Sequence, residues 1–406
     1  MNPILVIGGG ISGITAAVEL AETGKDVILI EKTAYLGGNV VKFNSYFPKL
    51  CPPACGMEIN FRRIRNNPKI KILTHTELMS LEGEQGNMRA RLRTMPQMVN
   101  DFCTACGDCV DSCPVERSDA FNYNFGLTKA IYLPHALSFP QKYEIDENTC
   151  IGAACGKCVD KCSYDAIRLD AEENEQELQI HSTINASGWK NYDAANIEEL
   201  NYNSSPDIVT NVEFERLLAK TGPGKGKLLR PSDKSIPKYV AFVQCAGSRD
   251  RNHLKYCSSV CCSASLKHAL NIVEMLPDTK VSVFYIDLRV SGRNEDFLSR
   301  VEKEERINLI KGKVAKVTQD PVSGKHNIVF EDILKGLKIT EAFDMVVLAT
   351  GMVPGNELPG LNINEDGFAV AEQMNGMYSA GCATKPMDVS ASVKEATAAA
   401  VNAMKN

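Results

Sequence analysis

Fifteen cysteines carry most of the chemical potential of this 406-residue chain, and they are unevenly spread. Eight lie between Cys103 and Cys162, four between Cys245 and Cys262, and Cys51, Cys55 and Cys382 stand apart. The first run, CTACGDCVDSCP, has the spacing C-x2-C-x2-C-x3-C-P. Three thiolates within seven residues can wrap one corner of an iron–sulfur cubane, while the fourth, Cys113, points toward a second cluster. The second run, CIGAACGKCVDKC, is C-x4-C-x2-C-x3-C, two residues longer in its first gap. Crossed ligation gives Cys103, Cys106, Cys109 and Cys162 to one [4Fe–4S] cluster, and Cys113, Cys150, Cys155 and Cys158 to another. The long gap leaves two outcomes for Cys150: a ligand, or a displaced thiol beside a three-iron centre. Structural zinc normally takes two separated C-x2-C pairs per ion, which suits these runs less well. Cys245, Cys257, Cys261 and Cys262, spaced C-x11-C-x3-C-C, suit a third [4Fe–4S] cluster. The alternative is a set of buried apolar thiols, but neighbours such as Cys261 and Cys262 on a helix do not face one core. An odd cysteine count without a secretory leader argues against a disulfide framework.

Such centres need rigid elements beneath them. Ile4-Leu5-Val6-Ile7 reads as a buried parallel strand, Gly8-Gly9-Gly10-Ile11-Ser12-Gly13 as a phosphate-binding turn, and ITAAVELAETG as a helix stopped by Gly24. A second strand, Asp26 to Ile30, ends at Glu31. In G-x-G-x-x-G, Gly8 permits the turn, Gly10 lets backbone approach a pyrophosphate and Gly13 lets helix and strand pack. The helix N-terminus faces the phosphates, and Glu31 is placed to accept from ribose hydroxyls. Gly37, Gly38 and Asn39 follow Glu31 and Lys32, a pattern similar to that of FAD-binding flavoprotein disulfide reductases. Two later strand-then-glycine segments, STINASG and FDMVVLATG, add Ala186, Ser187, Gly188, Thr350 and Gly351 as FAD-binding candidates. Tyr378-Ser379-Ala380-Gly381-Cys382 resembles the last FAD motif of that superfamily, with Gly381 in place. Cys382 replaces the usual acid, so a backbone amide is left to meet the ribityl chain.

In thioredoxin reductase-like proteins a second Rossmann unit carries its own glycine fingerprint. Here the strand Tyr239 to Gln244 runs into CAGSRD with no G-x-G-x-x-G, and the next helix is expected to start near Cys257, with Cys261 and Cys262 in its first turns. KVSVFYIDLRV reads as the next strand and INLIKGKVAKV as a further strand or hairpin. The lobe is expected to keep its fold and lose its nucleotide, so NAD(P)H is not expected as direct donor; the alternative is a degenerate site that still binds it weakly. The aromatics of the long connection from Glu116 to Thr149 are expected to cover the clusters or meet a partner.

Composition agrees with a folded, water-exposed protein: 44% hydrophobic, 23% charged and a net charge of −5. That balance points to no nucleic acid partner, and no apolar run is long enough to span a membrane. The fold class is α/β, a two-lobed FAD/NAD(P)-binding Rossmann-like protein of thioredoxin reductase type with an inserted dicluster ferredoxin-like domain. Boundaries are drawn at 1–98 (FAD domain, first part), 99–170 (insert), 171–236 (FAD domain, second part and linker), 237–342 (NAD-like lobe carrying a cluster) and 343–406 (FAD domain, last part).

QCAGSRD…YCSSVCC, NVEFERLL, RPSD, YIDLRVSG and AGCATKPMDVSASVKEATAAA together resemble the heterodisulfide reductase A-subunit family over nearly the whole chain. The resemblance implies FAD, two clusters in the insert and a further cluster on Cys245, Cys257, Cys261 and Cys262. The chain begins at the Rossmann strand and ends after the FAD motif. This short form is similar to the A-subunit of the quinone-interacting membrane-bound oxidoreductase complex of sulfate reducers. That implies three partners: APS reductase, a haem-containing membrane subunit, and a second flavoprotein and iron–sulfur subunit. It also implies a cytoplasmic site, peripheral to the inner membrane through those subunits. The A-subunit of a sulfur-oxidising heterodisulfide reductase-like complex is the near alternative. A different class is a thiol–disulfide flavoprotein reductase using Cys51 and Cys55 of FPKLCPPACGM.

Overall fold

The computed structural model describes residues 2–47, 50–290, 294–371, 373 and 376–405. Pro48 and Lys49 of FPKLCPPACGM, and Ser291 and Gly292 of YIDLRVSG, lie outside the described residues.

Two short, wholly buried apolar strands, Ile4–Ile7 and Val27–Ile30, form the heart of the first lobe. Ile4–Ile7 pairs in parallel with Val27–Ile30 on one side and Thr183–Asn185 on the other. Ile70–Leu73 and Met377–Ser379 complete the five-stranded sheet at its two edges. The helix Ile11–Glu22 packs its Ile14, Ala17 and Val18 side against Ala396, Ala399 and Ala400 of the helix Val389–Ala403. Gly8 turns the chain at φ +100, and a Cβ on Gly13 would lie 1.8 Å from the Gly8 carbonyl oxygen. No other residue fits at Gly13, which is what holds strand and helix this close. A three-stranded antiparallel sheet, Asn174–Ile180, Asn87–Thr94 and Thr76–Glu84, covers the other face through Leu78, Met88 and Leu92.

The second lobe repeats the plan. Ile208–Thr210, Met345–Thr350, Tyr239–Ala246, Lys280–Tyr285 and Ile307–Lys311 form a parallel sheet in that order. Val314–Gln319, His326–Asp332 and Leu337–Phe343 form an antiparallel one. INLIKGKVAKV is therefore no hairpin, because its two strands belong to different sheets. The boundaries drawn at 236/237 and 342/343 also need correction. Ile208–Thr210 and Met345–Thr350 hydrogen-bond within the second lobe, so that lobe takes in both flanking segments. The cysteine-bearing helix begins at Cys261, running Cys261–Met275, and Cys257 sits in the loop before it.

The insert leaves from the end of Asn87–Thr94 and returns at Asn174–Ile180. Its core is small: Val99, Ile131, Ile145, Ala166 and Ile167 around the cysteines. Most of the aromatics in its long connection do not lie over the cysteines as expected. Phe121 and Phe139 are buried in the first lobe's core, Phe139 stacking on Phe61 with centroids 5.0 Å apart. Phe125 packs against the second lobe, while Tyr143 stays with the cysteines. A core this small cannot hide large rings, so they bury against the lobes and fix the insert's orientation.

His135 sits at that joint, stacked on Phe121 (4.7 Å) and edge-on to Tyr35 (4.7 Å). Burial, and then the Arg216 and Lys42 cations, push its pKa down to about 4. An unfolded histidine titrates near 6.5, so the unfolded chain binds the extra proton first as pH falls. The contribution is complete above about pH 6.5 and disappears as pH drops through about 4. Between pH 7 and pH 4.5 it amounts to roughly 2–3 kcal/mol. Urea midpoints at those two pH values should therefore differ more in the wild type than in His135→Asn, by roughly that energy.

Candidate functional site

A cavity of about 540 Å³ opens at the ends of Ile4–Ile7 and Val27–Ile30 and continues to the second lobe. Of the expected FAD-binding residues, Gly8, Gly10, Ile11, Ser12, Glu31, Lys32, Gly38, Asn39, Ala186, Ser187, Gly188 and Cys382 line it. Three more act from behind the wall. Gly13 packs on Gly8, Gly37 donates its N–H to the Gly9 carbonyl (2.7 Å), and Gly381 at φ +69 lies against Ser12. Thr350 and Gly351 are placed differently. Thr350 Oγ1 donates to Asn191 Oδ1 (2.8 Å), and its carbonyl faces Cys261 Sγ. Ser248 and Ser258 crowd Gly351. Both follow from the strand Met345–Thr350 belonging to the second lobe, whose ends point at the Cys261 group rather than at the cavity.

The wall suits a dinucleotide. The helix Ile11–Glu22 begins after Gly10 with no side-chain cap, so its first N–H groups remain available to an anion. A Cβ on Gly10 would meet nothing closer than the Gly38 Cα at 4.0 Å, which leaves the turn open on that side. Glu31 is held rigid: Oε2 accepts from the Gly9 N–H (2.7 Å), and Oε1 from the Thr33 N–H and hydroxyl (both 2.9 Å). Cys382 is buried, its Sγ 3.4 Å from the Met387 carbonyl, and burial pushes its thiol pKa up.

The cavity also carries a group that sequence reading missed. Glu215, Lys267 and His268 all line it and are all buried. Lys267 Nζ donates to Glu215 Oε1 and to the Ser45 carbonyl (2.6 Å). His268 Nε2 lies 2.7 Å from Glu215 Oε1, and the Asn44 N–H donates to Oε2 (2.9 Å). Burial alone would raise the Glu215 pKa, but Lys267 and then His268 outweigh it and hold the carboxyl below its usual range. Burial pushes His268 down, so near pH 7 it is neutral and Lys267 is the counter-cation. His268 Nδ1 is buried without a partner among the described residues.

The insert sorts its eight cysteines into two hollows. Cys103, Cys106, Cys109 and Cys162 line one, with Tyr164 and Asp108. Cys113, Cys150, Cys155 and Cys158 line the other, with Pro114 and Lys157. Ile131 separates them, lying on both walls. Cys113 and Cys162 each end a short helix, Asp108–Ser112 and Lys157–Lys161, and each leaves its own run for the other hollow. Burial, then the neighbouring Cys103, pushes the Cys109 thiol up to about 12. Crowded sulfurs of this kind become thiolates together only around a positive centre, which is the donor set of an iron–sulfur cluster. Among the described residues no three His, Cys, Asp or Glu side chains converge for one metal ion. A cubane spreads its thiolates over separate corners and needs no such convergence, whereas zinc does.

Cys245, Cys257, Cys261 and Cys262 are close enough in the second lobe to feel one another's charge, without converging on one point. The strand Tyr239–Ala246 loses register with Met345–Thr350 between Val243 and Ala246, and Cys245 takes φ +57 in that bulge. A cysteine in the left-handed region is costly, so the bulge aims this side chain where regular pairing would not. Ser259, at φ +61, sets its N–H 3.4 Å from Cys257 Sγ. Cys261 and Cys262 open the helix Cys261–Met275, at its positive end. Their sulfurs approach the carbonyls of Thr350 (3.7 Å) and Asp287 (3.6 Å). This strand–turn–helix junction corresponds to Gly8–Gly13 of the first lobe, with thiols in place of a glycine turn.

Cys51 is half-buried and Cys55 exposed, and neither lines the cavity. Tyr46, which does line it, holds its hydroxyl against Cys51, a contact that with burial pushes the Tyr46 pKa up to about 12.

The FAD dependent oxidoreductase family model matches residues 3–48. Thioredoxin reductases of T. acidophilum and Lactococcus lactis share the fold at 13% and 14% identity, each with a TM-score of 0.54. They cover 99% of this chain, which covers 97% and 98% of theirs. The A-subunit of the ferredoxin/F420H2-dependent CoB-CoM heterodisulfide reductase of Methanosarcina acetivorans is 36% identical over 99% of this chain and 52% of its own length. The A-subunit of the H2:CoB-CoM heterodisulfide,ferredoxin reductase of Methanothermobacter marburgensis is 34% identical over 98% and 63%. An iron-sulfur A-subunit of CoB–CoM heterodisulfide reductase from Methanopyrus kandleri is 36% identical over 98% and 63%. The chain thus spans between half and two thirds of the length of these relatives, and the matches place it among the oxidoreductases.

Proposed function

From homology over nearly its whole length to heterodisulfide reductase A-subunits, we propose that this chain is an FAD and iron–sulfur electron-transfer subunit of a heterodisulfide reductase-like complex. The observation that carries the reading is the sorting of twelve cysteines into three groups of four, one of them at the helix N-terminus where a nucleotide turn would stand. Bound FAD supplies the exchange between electron pairs and single electrons, and [4Fe–4S] clusters supply one-electron carriers. The chain's own residues do the rest. The turn Gly8–Gly13 and Glu31 hold a dinucleotide, and Lys267 keeps a proton on Nζ at the cavity wall, oriented by Glu215 and Ser45. The three cysteine groups hold the carriers, and a loop including Ser248, Leu254 and Ser258 fills the space beside Gly351. Electrons then pass to and from partner subunits rather than arriving as hydride from NAD(P)H.

The setting we propose, from the motif resemblance, is a quinone-interacting membrane-bound oxidoreductase complex. In it the chain moves electrons between APS reductase and a quinone-linked, haem-bearing membrane subunit during sulfate reduction, alongside a second flavoprotein. Among the described residues no helix is long and apolar enough to cross a membrane, so in this setting attachment comes through other subunits.

Anaerobically purified chain should hold about twelve irons, from three cubanes, and its flavin should bleach with dithionite but not with NADH or NADPH. Rapid bleaching by either nucleotide overturns the reading. Copurification from native membranes, with identification of the bound subunits, tests the setting.

A further inference from the structure

The acid excess of this protein belongs to the insert. Residues 99–170 hold eleven Asp and Glu against six Lys and Arg, while the other 334 residues hold thirty-nine of each sign. Within the insert the two hollows differ. Beside Cys103, Cys106, Cys109 and Cys162 stand exposed Asp101, Asp108 and Asp111; Asp101 pairs with Lys142, and neither Asp108 nor Asp111 makes an ion pair among the described residues. Beside the other hollow Lys157 is exposed, while on the first Lys161, next to Cys162, is exposed among the acids. The acidic side also has an apolar centre. Phe102, next to Cys103, is 72% exposed, Tyr164 on the hollow's wall is 49% exposed, and Cys106 itself reaches the surface. Large exposed rings amid a net excess of one charge mark a docking surface, and that charge sets the encounter rate.

We propose that the face of Phe102, Cys106 and Tyr164 docks a redox protein that presents Lys and Arg around an apolar centre. One electron at a time crosses there between the cluster of this hollow and the partner's one-electron centre. The surface suits a cationic partner because its charges unpaired among the described residues, Asp108 and Asp111 against Lys161, are net anionic; a second copy docked two-fold here would set acid against acid. The short path through an exposed ligand cysteine suits electron exchange, whose rate falls steeply with distance. The proposal rests on the electron-transfer reading above and names where that transfer leaves the chain.

Mitochondrial cytochrome c, a basic one-electron acceptor, serves as the probe, and neutral 1,4-benzoquinone as the control. The holoprotein is reduced with dithionite, and each electron lost from its clusters converts one ferric haem to ferrous. The second-order rate with cytochrome c should fall about tenfold between about 20 and 300 mM salt, while the benzoquinone rate stays flat. Asp111→Lys should lower the low-salt rate about fivefold and flatten the salt dependence. Phe102→Ser should lower the rate and keep the salt dependence. Carbodiimide should cross-link cytochrome c lysines to Asp108 or Asp111. A salt-independent rate in the wild type, or cross-links confined to other surfaces, overturns the docking face while leaving the electron-transfer reading intact. Failure to reduce benzoquinone defeats that reading, and the docking face with it.

Discussion

Cys113→Ser should remove the iron held beside Cys150, Cys155 and Cys158, and adding Cys158→Ser should remove no more. The two cysteines come from different runs, but they line one hollow. If each run held its own cluster, Cys113 would serve Cys103, Cys106 and Cys109, and the double substitution would empty both sites. Crossed ligation therefore predicts about eight irons per chain in the double variant, and ligation within runs about four, against about twelve in the wild type. Cys162→Ser combined with Cys106→Ser is the mirror experiment on the other hollow, with the same expected count. Iron and acid-labile sulfide analysis reads the difference directly. Cys150→Ser settles the role of the residue after the long gap. The structure places Cys150 on the same wall as Cys113, Cys155 and Cys158, so it should remove the same cluster and leave the other.

What was legible in the sequence was what local spacing controls. Gly8, Gly10 and Gly13 follow from the geometry of a single turn, and the crossing of Cys113 and Cys162 follows from the three residues before each. Strands such as Ile4–Ile7 and Val27–Ile30 are apolar throughout and buried throughout, so pattern and burial coincide. Sheet membership was not legible. FDMVVLATG looks like an FAD-domain strand by its glycine, but pairing with Tyr239–Ala246 puts it in the second lobe and turns Thr350 toward Cys261. Pairing across a hundred residues leaves no local trace. The position of Cys245 was equally hidden, because the bulge that aims it depends on the neighbouring strand. Glu215 was missed for a related reason. A glutamate between Phe214 and Arg216 reads as the wet edge of an amphipathic helix, yet every residue from Val212 to Leu218 is buried. In hindsight the one signal was a Lys-His pair, Lys267 and His268, amid the apolar residues of the helix Cys261–Met275.

That buried group gives the other large effect. Lys267→Met should cost about 3–5 kcal/mol of stability, because it leaves the Glu215 carboxylate buried without its cation. It should also slow reduction of the bound flavin by about 10²–10⁴-fold, the usual worth of a positioned proton donor. The two losses have different causes and can be separated. In the double variant Lys267→Met/Glu215→Gln no uncompensated charge remains, so most of the stability should return. The rate should not, since no proton is held on Nζ at the cavity wall. Recovery of the rate along with the stability would make Lys267 a packing cation only. The pH profile offers a check independent of folding. Held by Lys267, Glu215 stays ionised and adds stability above its unfolded pKa, near 4.3, a contribution lost as pH falls toward the depressed folded value. Without Lys267, the balance at Glu215 shifts toward burial and its pKa moves up, so the single variant should lose the gain in stability that the wild type shows up to about pH 4.3, and the double variant should show no such dependence. A buried carboxylate that takes its charge from a lysine on another helix thus ties the flavin cavity's proton to the packing of Asn211–Leu218 against Cys261–Met275.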